Sequence, residues 1–249
     1  MPARSQALLG IVGFTGLIGL WWLLTRSSDE LALGPRFAPE AAFASLVDIA
    51  GRPDLWQHTL VSLKRVLIGL GIAVALGVPV GLLAGTSATF AGSTGIAFQF
   101  LRMISPLSWM PIAVMAFGIG DRPIYFLLGF AGVWPILLNT AAGVQKLEPS
   151  WIELGRSLCA SRFQLLLQVI LPGVLGHVLT GMRLAIGVLW IVLVPSEMLG
   201  VSAGLGYAIL DTRDRLAYSE LMAMVMVVGM LGFGLDLITR WLSRRWIEA

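Results

Sequence analysis

The stretch EPSWIELGRSLCASRFQLLLQVILP, residues 148–172, is a polar segment set between two long apolar runs. Glu148-Pro149-Ser150 reads as a helix start. Ser150 takes the N-cap position, and Glu153, three residues on, is its capping-box partner. The spacing predicts a short amphipathic helix over 151–158. It ends near Cys159, and a second helix begins around Ser161 and leads into the next apolar run. A polar helix–turn–helix between two such runs is expected to lie outside whatever solvent the runs occupy.

That solvent is identified by composition. Of 249 residues, 57% are hydrophobic and 12% are charged, and the mean hydropathy is +0.86. Soluble domains carry roughly 25% charged residues. A water-soluble fold of this length would have too little polar surface to cover itself, so the chain is expected to be an all-α integral membrane protein. The net charge of +3 comes without a basic block, which excludes nucleic acid as a partner class. Cys159 is the sole cysteine, so neither an internal disulfide nor a Cys-based metal site can form.

A membrane helix needs about 20 mainly apolar residues. Six such spans are predicted: Ala7 to Leu24, Val61 to Thr86, Phe98 to Phe117, Ile124 to Val144, Val169 to Leu199 and Leu221 to Trp241. The first is read as an uncleaved helix, since no small-x-small cleavage site follows it closely. Residues 1–57 then form an N-terminal span and a surface connection with a short helix around Ala41–Ile49, and residues 58–249 form the core domain. In the second span Gly77, Gly81 and Gly85 recur every four residues. Such a stripe shares one helix face and lets a neighbour approach closely, or it reflects the general abundance of glycine in membrane helices. The turn Gly118–Pro123 ends the third span.

The balance of cations orients the chain. With both termini cytoplasmic, the inner side holds Arg4, Arg102, Lys146, Arg156, Arg162, Arg240, Arg244 and Arg245. The outer side holds Arg26, Arg36, Arg52, Arg122, Arg213 and Arg215. The C-terminal cluster and the polar 145–168 segment place the cytoplasm.

The 148–172 segment resembles the signature loop of the binding-protein-dependent permeases of ATP-binding-cassette importers. That signature is Glu-Ala-Ala, three residues, Gly, and later Ile-x-Leu-Pro. Here Glu153 matches, Leu154 and Gly155 stand for the two alanines, Cys159 stands for the glycine, and Ile170-Leu171-Pro172 closes the motif. His58-Thr59-Leu60, Ser62-Leu63 and Arg65 are similar to the nitrate/sulfonate/taurine/bicarbonate branch of that family. So are Thr180 to Gly187, Ser196 to Gly200 and Gly204 to Tyr207. The family glycine is expected at a left-handed turn, where a Cys costs about 1 kcal/mol.

The resemblance implies a type I importer permease fold. Its coupling loop, 145–168, docks on a separate cytoplasmic ATPase through Trp151, Ile152, Glu153, Leu154, Gly155, Arg156, Ser157, Leu158, Cys159, Ala160 and Ser161. It also implies an extracytoplasmic solute-binding protein, a second permease copy, most simply an identical one, and a small anion as cargo. It implies no catalytic site and no cofactor here, ATP and Mg being held by the partner. Independently, the lysines Lys64 and Lys146 follow Leu63 and Gln145, so the Gly-Lys-Ser/Thr of a phosphate-binding loop is missing.

A path through apolar helices needs polar lining, and ionisable residues inside a membrane are functional candidates. These are His177, Arg183, Glu197 and Asp236. Arg183 and Glu197 are taken as path candidates, with Ser105, Ser108, Asn139 and Thr140 as milder ones. Arg183 either attracts an anion or pairs with a carbonyl or carboxylate. His177 packs or caps, and Asp236 pairs with Arg240 four residues on. Two rival readings are a secondary transporter or channel needing no ATPase, and a hydrolase built on the literal Gly-x-Ser-x-Gly at Gly200–Gly204. The hydrolase motif needs a strand before the Ser and a His after it, and both histidines precede Ser202.

Overall fold

A computed structural model describes residues 3–26 and 34–247, and every regular element in them is helical. Part of the expected surface connection, 27–33, lies outside the described residues, as do the side chains of Arg4, Arg244 and Arg245.

Helix α1 (Ala3–Arg26) covers the first expected span. A 3-10 turn (Gly34–Phe37) leads to α2 (Pro39–Ala50), the short helix expected near residue 41. Two indoles tie them: Trp21 Nε1 donates to the Phe37 carbonyl at 3.0 Å, and Trp22 Nε1 to Glu40 Oε1 at 2.7 Å. The backbone N–H at the start of α2, then the Trp22 indole, hold the Glu40 carboxyl below the usual glutamate range. This tie is therefore fully present above that range and is lost as pH falls through the lowered value.

Helix α3 (Pro53–Thr86) starts eight residues before the expected apolar span. Pro53 at its first turn suits a helix start, and the polar residues that follow do not break it. Its 34 residues measure about 51 Å, so the helix projects well beyond a hydrocarbon core of about 30 Å.

The third expected span is corrected. Instead of one helix over Phe98–Phe117, the chain forms α4 (Ala88–Met103), a 3-10 turn (Pro106–Trp109) and α5 (Met110–Phe117). The two helical pieces are bent by 89°. Pro106 disfavours helix at Ser105 and begins the turn, and α5 stops at Gly118, whose φ is +79°. Helix α6 (Asp121–Gln145) follows.

Beyond it come α7 (Pro149–Ser157), α8 (Arg162–Leu165), a π-turn (Leu166–Ile170) and α9 (Leu171–Glu197). The π-turn precedes Pro172, whose ring would otherwise press on the carbonyl four residues back. The chain closes with α10 (Leu205–Asp214) and α11 (Tyr218–Ile247). Among the described residues four helices are long and apolar enough to cross a membrane, and five when the bent pair counts as one.

The glycine stripe decides the packing. A Cβ at Gly69 would sit 2.5 Å from Leu128 Cβ, at Gly77 3.0 Å from Ile136 Cβ, at Gly81 2.7 Å from the Leu137 carbonyl, and at Gly85 2.5 Å from Val144 Cβ. Residue numbers rise together, so α3 and α6 run parallel. On the other side of α6, Gly143 meets His177 and Gly181 meets Ile136, so α9 runs antiparallel. Val66, Ala73, Leu127, Leu128, Ala185, Leu189 and Leu193 fill the core between the three. Two parallel helices joined by residues 87–120 require a return across the full thickness, and the bent α4–α5 pair makes it. The molecule thus has a near end, where α6 stops and α7 and α8 lie, and a far end, where α3 and α6 start and α9 stops.

Candidate functional site

At the near end, α7 begins two residues before the expected start at Trp151. Pro149 takes the first helical position and Glu148 the cap, with no side-chain cap bond. Ser150 therefore falls inside the first turn, where its hydroxyl donates to Glu148 Oε2 at 3.3 Å. The expected Ser150–Glu153 capping box is replaced by one at the next helix. There Ser161 Oγ accepts from the Gln164 N–H at 3.3 Å, and Gln164 Oε1 accepts from the Ser161 N–H at 2.8 Å. Glu153 is exposed, and its carboxylate makes no hydrogen bond or ion pair among the described residues.

The turn between α7 and α8 has the expected left-handed residue. Cys159 has φ +59°. Its N–H donates to the Arg156 carbonyl at 2.9 Å, and the Ala160 N–H to the Gly155 carbonyl at 3.0 Å. This pair of bonds is a Schellman ending, which favours glycine at the Cys159 position. Cys159→Gly is expected to raise stability by about 0.5–1 kcal/mol, read as a higher melting temperature of the solubilised chain.

Gly155 holds α7 against the next helix, since a Cβ there would lie 2.5 Å from Leu165 Cδ2. Trp151, Leu154 and Leu158 recur at helical spacing and stay 50%, 62% and 75% exposed. They form one wall of an apolar groove of about 520 Å³, and Val169, Pro172 and Gly173 form the other. A short helix outside the apolar runs that shows three large hydrophobic side chains on one face is shaped for a protein partner.

The far end is organised by charge. Arg65, in α3, is 3% exposed, and Glu197, at the end of α9, has no exposed surface. Arg65 Nη1 donates to Glu197 Oε1 and to the Ala203 carbonyl, each at 2.7 Å, and Nη2 donates to Asp121 Oδ1 at 2.6 Å. Ser62 Oγ donates to the Glu197 carboxylate at 2.8 Å and accepts from the Leu205 N–H at 2.8 Å. The Gly206 N–H donates to Glu197 Oε2 at 3.0 Å, and the Gly204 N–H to His58 Nδ1 at 3.1 Å. The segments His58–Arg65 and Ser196–Tyr207, far apart in sequence, are therefore one docked unit. Gly206 admits it: a Cβ there would sit 2.2 Å from the Val194 carbonyl. A cavity of about 1110 Å³ opens beside the cluster, lined by Arg65, Asp121, Tyr125, Ser202 and Tyr207 among others. Ser202 lies in the irregular loop between α9 and α10, without the preceding strand a hydrolase elbow needs.

The expected path residues divide. Ser105 and Ser108 lie exposed together at the break between α4 and α5. Arg183 is ion-paired, with Nε 3.5 Å from Asp236 Oδ1, and Asp236 also takes Arg240 at 2.6 Å. His177 packs on Gly143. Asn139 donates to the Pro135 carbonyl at 2.8 Å and packs against Gly181 of α9. Glu197 and Thr140 differ from the others in burial. Both are fully buried within the single chain, Thr140 against Gly81 of α3. Sequence reasoning gave no site role to Arg65 or Asp121. The available signal was a lone Arg inside α3 and a lone Glu at the end of α9, opposite charges with no solvent to face.

The sequence pattern of the binding-protein-dependent transport system inner membrane component matches residues 77–248. The taurine transport system permease protein TauC of Escherichia coli is 35% identical, over 98% of this chain and 90% of its own. The bicarbonate transport system permease protein CmpB of Synechococcus elongatus is 34% identical, over 96% of this chain and 89% of its own. The nitrate import permease protein NrtB of Leptolyngbya laminosa is 31% identical, over 94% and 85%. Among solved structures, a chain of an amino acid ABC transporter superposes with a TM-score of 0.65 at 17% identity, covering 82% of this chain and 98% of that one. A chain of the inward-facing methionine transporter MetNI gives 0.63 at 17%, covering 78% and 94%. The expected type I permease fold is the one observed. With a family pattern over most of the core domain and relatives matched almost end to end, this chain belongs to the inner membrane components of binding-protein-dependent transport systems, the membrane permeases of ATP-driven importers.

Proposed function

We propose that this permease carries a small anion of the bicarbonate, nitrate, taurine or sulfonate class into the cell. The similarity to three anion permeases along nearly the whole chain supports the substrate class. Two identical copies form the path, an external solute-binding protein delivers the anion at the far end, and two cytoplasmic ATPase subunits, holding ATP and Mg, dock on the near end. The segment Trp151 to Ser161 is the docking element. The observation that carries this reading is the uncovered apolar face of Trp151, Leu154 and Leu158 along α7, beside the exposed Glu153. ATPase closure moves the paired segments and rocks the two copies between inward- and outward-facing packings. Both termini are cytoplasmic.

Cys159, the sole and exposed thiol, tests this directly. A membrane-impermeant maleimide should label it in inside-out vesicles and not in intact cells, and added ATPase should protect it. Leu154→Asp should abolish ATPase co-purification. Labelling from the outside would reverse the orientation. Protection or co-purification indifferent to Leu154→Asp would remove the docking assignment, and anion uptake without any ATPase would favour the secondary transporter.

A further inference from the structure

Arg102 lies in the last turn of α4, two residues before the irregular backbone of the bent pair. Aromatic contacts set its depth. The Phe98 ring is 6.1 Å from Trp134, and the Trp109 ring is 5.5 Å from Phe130. Arg102 therefore leaves α4 between the levels of Trp134 and Phe130, near the middle of α6. Among the described residues no carboxylate pairs with it, unlike Arg65 and Arg183. Its side chain is exposed and shares a cavity of about 280 Å³ with Thr94, Gln99 and Gln145. Helical side chains lean toward their own N-terminus, so the guanidinium turns toward Gln99 and the near end.

Two features give this face the same neighbour. The backbone of Arg102 lies near mid-depth, and an unpaired guanidinium that leaves it along an apolar helix face is costly against lipid and stable against water or protein. Irregular backbone at that depth, here Ile104 to Pro106, is tolerated only when buried in protein or lining a water-filled cavity. Ser105 and Ser108 are exposed at the same break. Arg183, the other candidate cation, is occupied by Asp236.

We propose that Arg102 is the anion-contacting residue of the permeation path. Its planar fork receives two oxygens of a small oxyanion such as a carboxylate, sulfonate or nitrate, and the Gln99 and Gln145 amides offer further donors. This rests on the anion-import reading above.

The test uses the full complex of permease, ATPase and binding protein in vesicles, with labelled nitrate, bicarbonate and taurine as probes. The readout is anion moved per ATP hydrolysed. Arg102→Gln should lower that ratio roughly 10-fold or more, the loss of a charge-assisted contact. Arg102→Lys should restore part of the ratio. Gln99→Glu, which sets a carboxylate one turn from Arg102, should lower it with the arginine still present, and it serves where Arg102→Gln fails to assemble. An unchanged ratio in Arg102→Gln, or in Gln99→Glu where only that variant assembles, overturns the proposal, as does a parallel fall of uptake and hydrolysis. Wild-type complex that moves none of the three anions instead overturns the import reading.

Discussion

Arg65→Ala should destabilise the folded permease by about 3–5 kcal/mol, the cost of leaving a buried carboxylate without its cation. Glu197 has no exposed surface and Arg65 is 3% exposed, so water cannot replace the lost partner without opening the far end. The Ser62 hydroxyl and the Gly206 N–H would still reach the carboxylate. They donate hydrogen bonds but cannot neutralise it. Glu197→Gln should cost less, about 1–3 kcal/mol, because an amide keeps an acceptor for the Gly206 N–H and Arg65 retains Asp121 at 2.6 Å. Replacing the pair together, Arg65→Met with Glu197→Leu, should recover much of the loss, since the burial penalty of both charges disappears with them. Thermal melting of the solubilised protein and its abundance in the membrane measure the series. Arg65→Ala within about 0.5 kcal/mol of wild type would mean that the cluster is hydrated and does not hold the far end together.

Gly81→Ala is the second large effect, and Gly71→Ala in the same helix is its control. Both substitutions add one methyl group in α3. At Gly71 the new Cβ meets nothing within 4 Å, so the change should be neutral or stabilising by up to about 1 kcal/mol through helix propensity. At Gly81 it would lie 2.7 Å from the Leu137 carbonyl oxygen and 2.7 Å from Thr140 Cβ. A backbone oxygen inside α6 cannot rotate away, so the two helices must separate and Leu137 and Thr140 lose their packing. Overpacking of this kind costs about 1–3 kcal/mol. Equal melting temperatures for the two variants would show that α3 and α6 can slide, and the close parallel pairing would fall.

Features that depend on neighbouring residues alone are legible in the amino-acid sequence. Apolar runs mark the spans because a bilayer asks each helix separately for length and apolarity. Glu153 to Pro172 marks the candidate docking segment, and the match at Cys159 marks a left-handed turn, which the Schellman bonds supply. Local reading fails where neighbours compete for one role. Pro149 starts α7 early and displaces Ser150 from the cap, so the capping box moves to Ser161 and Gln164. Pro106 breaks the third span, which hydropathy alone reads as continuous. What only the tertiary structure decides is non-local. The parallel pairing of α3 with α6 turns a stripe of glycines into an interface, brings His58–Arg65 onto Ser196–Tyr207, and buries Glu197 against Arg65. Among the described residues the same fold leaves Arg102 without a carboxylate. A charge in a membrane is given its role by whichever helix faces it, and the partner's position is a property of packing that neither residue's own neighbourhood encodes.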